Sequence, residues 1–186
     1  MTQLEVEQLG SDGWFVREGF HGAAEVAAVA ARRATEGLFA PAAISRAHHR
    51  DEAVRNDSLL WVDPDDTQLA GLFATFEALR VELNQSAWLG LTRFDLQLAH
   101  YAPGGHYARH LDALKGHSNR RVTAIAYLNP TWKSADGGQL RLFCRPPVEL
   151  DPQLGRLVIF LSEKLEHEVL PSAAHRFAAT AWYYGR

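Results

Sequence analysis

From residue 94 onward the chain is a succession of short segments in which apolar and polar residues alternate, and this most narrows what it can fold into. Six stretches, 94–101, 106–112, 121–128, 139–144, 156–161 and 176–184, are rich in β-branched and aromatic residues with a period of two. The breaks between them carry turn chemistry: Pro103-Gly104-Gly105, Asn129-Pro130, Asp136-Gly137-Gly138, Asp151-Pro152 and Gly155. Short strands at this spacing can satisfy their backbone groups only by pairing with one another. The prediction is two sheets packed face to face as a sandwich or jelly roll, whose mouth can hold a ligand.

The chain before residue 90 reads differently. A short apolar segment at 14–16 is followed by an Ala-rich stretch, 23–39, with strong helix formers but a narrow apolar stripe. A second helix is better marked: Asp63 as N-cap, Pro64 in the first helical position, then Leu69, Leu72, Phe73, Phe76, Leu79 and Leu83 at helical intervals. Helices before strands predict an α+β fold, with the helices buttressing one outer face of the sheets. No repeat, low-complexity tract or linker divides the 186 residues, of which 47% are apolar, so one domain spanning 1–186 is expected. Within it, 1–90 is mainly helical support and 91–186 the strand-built core.

Composition removes several function classes. Nineteen Lys and Arg against twenty-two Asp and Glu leave a net charge of −3, which gives no overall attraction to nucleic acid or to an anionic membrane. The single cysteine, Cys144, excludes an intramolecular disulfide framework and a cysteine-rich zinc site, and suits a reducing compartment. The N-terminal MTQLEVEQLG is acidic where a secretory leader is basic, and no apolar run approaches the ~20 residues of a membrane span, so a cytoplasmic protein is expected.

Nine histidines invite a metal hypothesis. His110 and Asp112 are two apart in a strand-like segment, so both side chains face one way with Cα atoms ~6.5 Å apart and can converge on one ion. His167, after the run LVIFLSEKLE, is the candidate third ligand. Two neutral imidazoles and one carboxylate bind one face of a ferrous ion and leave the opposite positions open, whereas structural zinc is closed and usually cysteine-bound. The H-x-D pair alone is weak, because nine His and ten Asp give about half such a pair by chance, and His49-Arg50-Asp51 is a second one. That second pair lies in RAHHRDE, which has no strand periodicity to hold a ligand set rigidly, and reads as a solvated loop. His106 shares parity with His110 but stands ~13 Å away along an extended strand. His21, His100 and His117 have no usable partner spacing and read as surface or core histidines.

Five ordered blocks carry a resemblance: YAPGGHYARHLD, RVTAIAYLNPTW, GGQLRLF, GRLVIFLSEKLEHEVLP and HRFAATAWYY. Over residues 101–184 the chain resembles the Fe(II)- and 2-oxoglutarate-dependent oxygenases, in particular their prolyl 4-hydroxylase branch, which includes the hypoxia-inducible-factor prolyl hydroxylases and bacterial relatives. The resemblance implies a double-stranded β-helix, or jelly roll, with N-terminal helices packed against one sheet. It makes His110, Asp112 and His167 the iron ligands. It also makes Arg176, nine positions after His167, the residue that binds the distal carboxylate of 2-oxoglutarate, and a guanidinium fork suits a carboxylate. Tyr127 corresponds to a tyrosine binding the same carboxylate, Tyr101 to one lining the cosubstrate pocket, Leu140 to an apolar wall, and Trp182 to a residue near the iron end of the last strand. For these four, plain core packing is the competing role. Arg55, Asp57 and Trp61 match an R-x-D-x-x-x-W stretch that enters a substrate-covering loop, here around 45–62.

The activity implied is hydroxylation of a prolyl residue in a protein or peptide, with 2-oxoglutarate decarboxylated to succinate and CO2, O2 as oxidant and ascorbate as support. A translation factor is the kind of partner implied for a bacterial-type enzyme. The alternatives are an oxygenase of the same fold acting on a free amino acid, another side chain or an alkylated nucleic acid, and a non-catalytic sensor of 2-oxoglutarate or metal. Net charge, and Trp182 standing where a second arginine would be needed, weigh against the nucleic acid. Lys115, Arg120 and Arg121 read as a solvated basic loop.

Overall fold

The computed structural model describes residues 1–42, 51–113 and 118–186. In chain order the elements are α1 (Gln3–Ser11), β1 (Trp14–Arg17), α2 (Ala23–Thr35), β2 (Ala40–Pro41), β3 (Ser58–Trp61), α3 (Ala70–Ala87), β4 (Arg93–Tyr101), β5 (Tyr107–His110), β6 (Arg120–Tyr127), β7 (Leu140–Leu142), β8 (Val148–Leu150), β9 (Leu157–Leu161), β10 (His167–Val169) and β11 (Arg176–Tyr184). The strands form two sheets. The larger has the order β1-β9-β6-β11-β4-β3-β2 and the smaller β5-β10-β7-β8, with neighbours antiparallel throughout. This is the α+β jelly roll that the alternating segments and the resemblance predict.

Alternation along the central strands divides the interior into two layers. Val122, Ala124 and Ala126 of β6, Leu96 and Leu98 of β4, and Ala179, Ala181 and Tyr183 of β11 face outward and pack with Val26, Leu72, Phe76, Leu79 and Leu83 of the helices. The intervening residues, Ile125, Tyr127, Ala99, Tyr101 and Ala178, face the smaller sheet and pack with Leu140, Leu142 and Val169. Because both faces of the larger sheet are covered, β6 reads as an almost continuous apolar run rather than a polar-apolar alternation. The helical layer thus holds the larger sheet from outside and leaves its inner face free to build a site.

Local differences from the sequence expectation have identifiable causes. α3 begins at Ala70, not at Pro64. The Asp63 carboxylate accepts from Asp65 N and the Asp66 carboxylate from Gln68 N, and these two successive turns consume the backbone that a longer helix would have needed. α2 stops at Thr35 because Gly37 follows with φ +71°, a helix-terminating conformation that glycine adopts without strain. α1 was not expected, although Thr2 and Glu5 form a capping box at its start. β8 and β10 are three residues each, too short for a period of two to register.

Candidate metal centre and its cavity

His110 and His167 are direct partners across the antiparallel pair β5–β10, so the ladder itself brings together two residues far apart in sequence. β5 ends at His110, and Asp112 lies just past it in a bend, not within a strand as the i, i+2 argument assumed. It is tied down instead by its neighbours. Thr123 Oγ1 donates to Asp112 Oδ2 at 2.6 Å and itself contacts Ser162 Oγ at 2.9 Å, while Arg120 donates to the Asp112 backbone carbonyl. The result is a compact set: His110 Nε2 lies 3.6 Å from Asp112 Oδ1, His167 Nε2 3.8 Å from Asp112 Oδ2, and one ligand atom from each residue lies within 4.8 Å of the others.

Each imidazole is oriented by its other nitrogen. His110 Nδ1 is 2.8 Å from Ala108 O and His167 Nδ1 is 3.2 Å from Leu165 O, so the Nδ1–H groups donate to backbone carbonyls and the Nε2 lone pairs face the common centre. The His110 ring stacks on Tyr107 at 3.6 Å, and Phe160 packs against His167 at 4.7 Å. Burial alone would raise the Asp112 pKa, but the His167 and His110 rings and the Thr123 hydroxyl outweigh it and hold the carboxyl well below the usual carboxylate range. Burial lowers the pKa of His167 despite Asp112 beside it. An ionised carboxylate beside a neutral imidazole is the protonation state in which both offer lone pairs to a metal. Thr123 occupies one carboxylate oxygen, leaving the other to a cation.

The three residues open onto a cavity of about 320 Å³ between the sheets, which Tyr101, Leu140, Ile125 and Val169 also line. Against Tyr101 sits Arg176, 2% exposed, its guanidinium carbon 4.8 Å from the Tyr101 ring and 5.1 Å from the Tyr127 ring. Its Nε donates to Gly138 O at 2.8 Å, and no carboxylate among the described residues pairs with it. A buried cation without a counter-ion is costly unless an anion completes it. The buried Tyr127 hydroxyl, too, has no hydrogen-bond partner among the described residues, and burial pushes its pKa up to about 12 despite the pull of Arg176. An arginine and a tyrosine hydroxyl left open together suit a ligand carboxylate. With the metal set in the same sheet-to-sheet space, the donors fit Fe(II) and 2-oxoglutarate.

The remaining sequence candidates fall around the same space. Leu140 is fully buried on its wall. Trp182 stands on β11 six residues from Arg176, beside Arg120 and Trp61. Arg55 and Asp57 form a two-pronged ion pair at 2.7 and 2.6 Å, with Arg55 also over the Tyr107 ring at 4.1 Å, so this pair braces the strand that carries His110. Trp61, 57% exposed, stands at the rim. Of the covering loop around 45–62, residues 43–50 lie outside the described residues, as do His48, His49, Lys115 and His117. Asp51 is exposed and accepts from Ala53 N, in keeping with a loop.

Arg120 is not part of a solvated loop. It begins β6, lines the cavity, and lies over the Trp182 ring at 4.3 Å with its Nε donating to Tyr184 Oη. A basic residue next to another at a strand start looks solvated in sequence, and only the bend at Asp112 turns it inward. Thr123 and Gln97 were also missed. Their parity with Ile125 and Ala99 on the inward face was the available signal.

A jelly roll with two imidazoles and one carboxylate at its mouth defines a class of mononuclear metal enzyme fold. Comparison with known proteins narrows it. Residues 96–184 match the 2OG-Fe(II) oxygenase superfamily. A crystal structure of a prolyl-4-hydroxylase from Pseudomonas putida superimposes with a TM-score of 0.87 at 37% identity, covering 98% of each chain. A prolyl hydroxylase from Trichoplax adhaerens, in complex with a hypoxia inducible factor oxygen degradation domain peptide fragment, gives a TM-score of 0.88 at 30% identity over 97% of this chain and 87% of that one. The hypoxia-inducible factor prolyl hydroxylase of Caenorhabditis elegans is 33% identical over 96% of this chain but only 27% of its own length. The chain therefore spans about a quarter of that relative. The chain belongs to the 2OG-Fe(II) oxygenase superfamily, in its prolyl hydroxylase branch.

Proposed function

We propose that the protein is an Fe(II)- and 2-oxoglutarate-dependent dioxygenase that hydroxylates a prolyl residue of a protein or peptide. The observation that carries this is the convergence of His110, Asp112 and His167 on one centre, in the same interior space as the uncompensated Arg176. Likeness to prolyl hydroxylases along nearly the whole chain supports proline as the target.

In this reading His110, Asp112 and His167 hold the iron, and Arg176 with Tyr127 holds the distal carboxylate of 2-oxoglutarate. Tyr101 and Leu140 wall the cosubstrate, and Trp182 closes the far side. When bound, iron, 2-oxoglutarate and O2 together supply the oxidising power that puts one oxygen atom into a C–H bond while 2-oxoglutarate becomes succinate and CO2. The protein's share is orientation and exclusion of water. Thr123 fixes which Asp112 oxygen is free, the Ala108 and Leu165 carbonyls fix the imidazole tautomers, and the apolar wall of Leu140, Ile125 and Val169 keeps the interior dry. Arg55, Asp57 and Trp61 frame the side from which a peptide enters. Ascorbate supports turnover by keeping iron reduced. Residues 1–186 work as one catalytic domain, residues 1–90 supporting the jelly roll.

The finer assignment is a cytoplasmic enzyme whose partner is a translation factor or a similar exposed loop, the partner that the likeness to bacterial relatives implies. Among the described residues no helix is long and apolar enough to cross a membrane, which accords with a target reached from solution. The test is mass spectrometry of cell proteins incubated with the protein, Fe(II), 2-oxoglutarate and ascorbate. A gain of one oxygen atom on proline is expected, and Asp112→Ala should abolish both it and succinate formation. Oxygen on another residue type would overturn the substrate while sparing the chemistry; undiminished turnover by the Asp112 variant would overturn the site.

A further inference from the structure

Two buried polar atoms in the cavity wall have no partner among the described residues once the proposed metal and 2-oxoglutarate sites are accounted for: Gln97 Oε1 and Trp182 Nε1. Both residues line the cavity onto which His110, Asp112 and His167 open. They stand on adjacent strands of the larger sheet. Gln97 is the register partner of Thr180, and Trp182 is two residues further along β11, so the two are diagonal neighbours on one face, ~7–8 Å apart at Cα. The indole cannot readily turn away, because Arg120 covers its face at 4.3 Å and Trp61 packs at 5.9 Å. Gln97 is 3% exposed. An orphaned buried polar atom costs roughly 1–3 kcal/mol, so a pair of them in a cavity wall implies something that fills both.

The pair is complementary: the indole N–H can only donate and the amide oxygen can only accept. With the Gln97 amide in its observed orientation, a carboxylate would leave Oε1 unsatisfied, and an ammonium would leave Trp182 unsatisfied. A trans peptide group matches both in kind, since it carries a C=O and an N–H that point in opposite directions. Proline carries no N–H, so the peptide bond preceding a target proline cannot complete the pair, whereas the bond following it has both groups.

We infer that Gln97 and Trp182 clamp the peptide group on the C-terminal side of the target proline, with Trp182 Nε1 donating to the prolyl carbonyl and Gln97 Oε1 accepting the N–H of the next residue. This rests on the peptidyl-proline reading above and makes it narrower. The enzyme requires a residue after the proline, so free proline and a C-terminal proline are not substrates.

The test uses a peptide found to be hydroxylated, and the same peptide with an ester in place of the amide after proline, which replaces the N–H with an oxygen and makes the carbonyl a weaker acceptor. Binding is measured on the 2-oxoglutarate-loaded protein with Mn(II) replacing Fe(II), so that no turnover intervenes. The wild-type protein should bind the ester about tenfold more weakly. Gln97→Leu should lose most of the discrimination between the two peptides by binding the amide more weakly, and Trp182→Phe should weaken both while keeping most of the discrimination. Equal wild-type affinity for amide and ester would overturn the clamp and leave a bridging water as the occupant of both atoms; so would a Gln97→Leu protein that discriminates as strongly as the wild type. If the wild-type protein hydroxylates no proline in any peptide, the proposed function fails and the clamp with it. Hydroxylation without discrimination sinks the clamp alone.

Discussion

Arg176 shows how much a single position depends on a residue remote in sequence. The guanidinium is held by a hydrogen bond to Gly138 O, and Gly138 has φ +63°; a Cβ there would meet Arg176 Cδ and Trp132 Cζ2 at 3.0 Å each. Glycine is required at this point twice over, for the backbone conformation and for the space beneath the arginine. Arg176→Gln should cost 2-oxoglutarate binding about 2–4 kcal/mol, roughly thirtyfold or more in Kd, because it removes a charge-assisted pair in a buried setting. Gly138→Ala should weaken the same binding by a smaller factor and destabilise the fold by about 1–2 kcal/mol through left-handed strain. Titration calorimetry with 2-oxoglutarate and Mn(II) checks both, and equal Kd values in wild type and Arg176→Gln would remove Arg176 from the cosubstrate site. The arginine was legible only through the family resemblance, which places such a residue nine positions after His167. The glycine was legible only as a turn residue, because its contact with Arg176 bridges thirty-eight positions.

At the scale of elements, the decisive contact is between α3 and β11. Tyr183 Oη donates to Phe76 O at 2.8 Å, and Phe76 itself is wholly buried among the apolar side chains between helix and sheet. Phe76→Ala should cost about 3–5 kcal/mol, and Tyr183→Phe about 1–2 kcal/mol, since the latter removes one buried hydrogen bond and leaves the packing intact. Urea unfolding followed by circular dichroism checks the order, which would be wrong if the two variants shifted the midpoint equally. β11 carries Tyr183 outward to the helix, Thr180 and Trp182 inward to the cavity, and Arg176 against Tyr101 of its wall, so the same strand anchors the support and builds the candidate site. Periodicity revealed this strand with its observed bounds. It could not reveal β10, three residues long, whose pairing with β5 sets His167 opposite His110. His167 was a candidate from its place after the run 157–166, and the likeness to a known family made it an iron ligand.

At the scale of the whole molecule, stability depends on pH through a histidine remote from the candidate metal ligands. His100 on β4 lies against the outside of the helix-bearing half, stacked on Phe177 at 4.5 Å with its Nε2 2.9 Å from His175 Nδ1. Burial first, and His175 second, lower its pKa from the ordinary 6.5. The fold therefore favours neutral His100. That contribution is fully present above pH 6.5 and is lost as the pH falls through the lower folded value, because the unfolded chain then binds the proton more readily. The melting temperature should fall between about pH 8 and about pH 5, and His100→Gln should make the fall shallower; an unchanged slope would discount the histidine pair. The sequence by itself determined the α+β class and the two-layered strand core with helices outside it, because strand periodicity and turn residues are properties of neighbouring positions. Only the tertiary structure decided that Asp112 is aimed by Thr123 and Arg120, that no carboxylate among the described residues pairs with Arg176, and that Gln97 and Trp182 face one cavity. Those facts depend on strand register and on what lies across the sheet, where side chains distant along the chain meet and burial decides which polar atoms are left for a ligand.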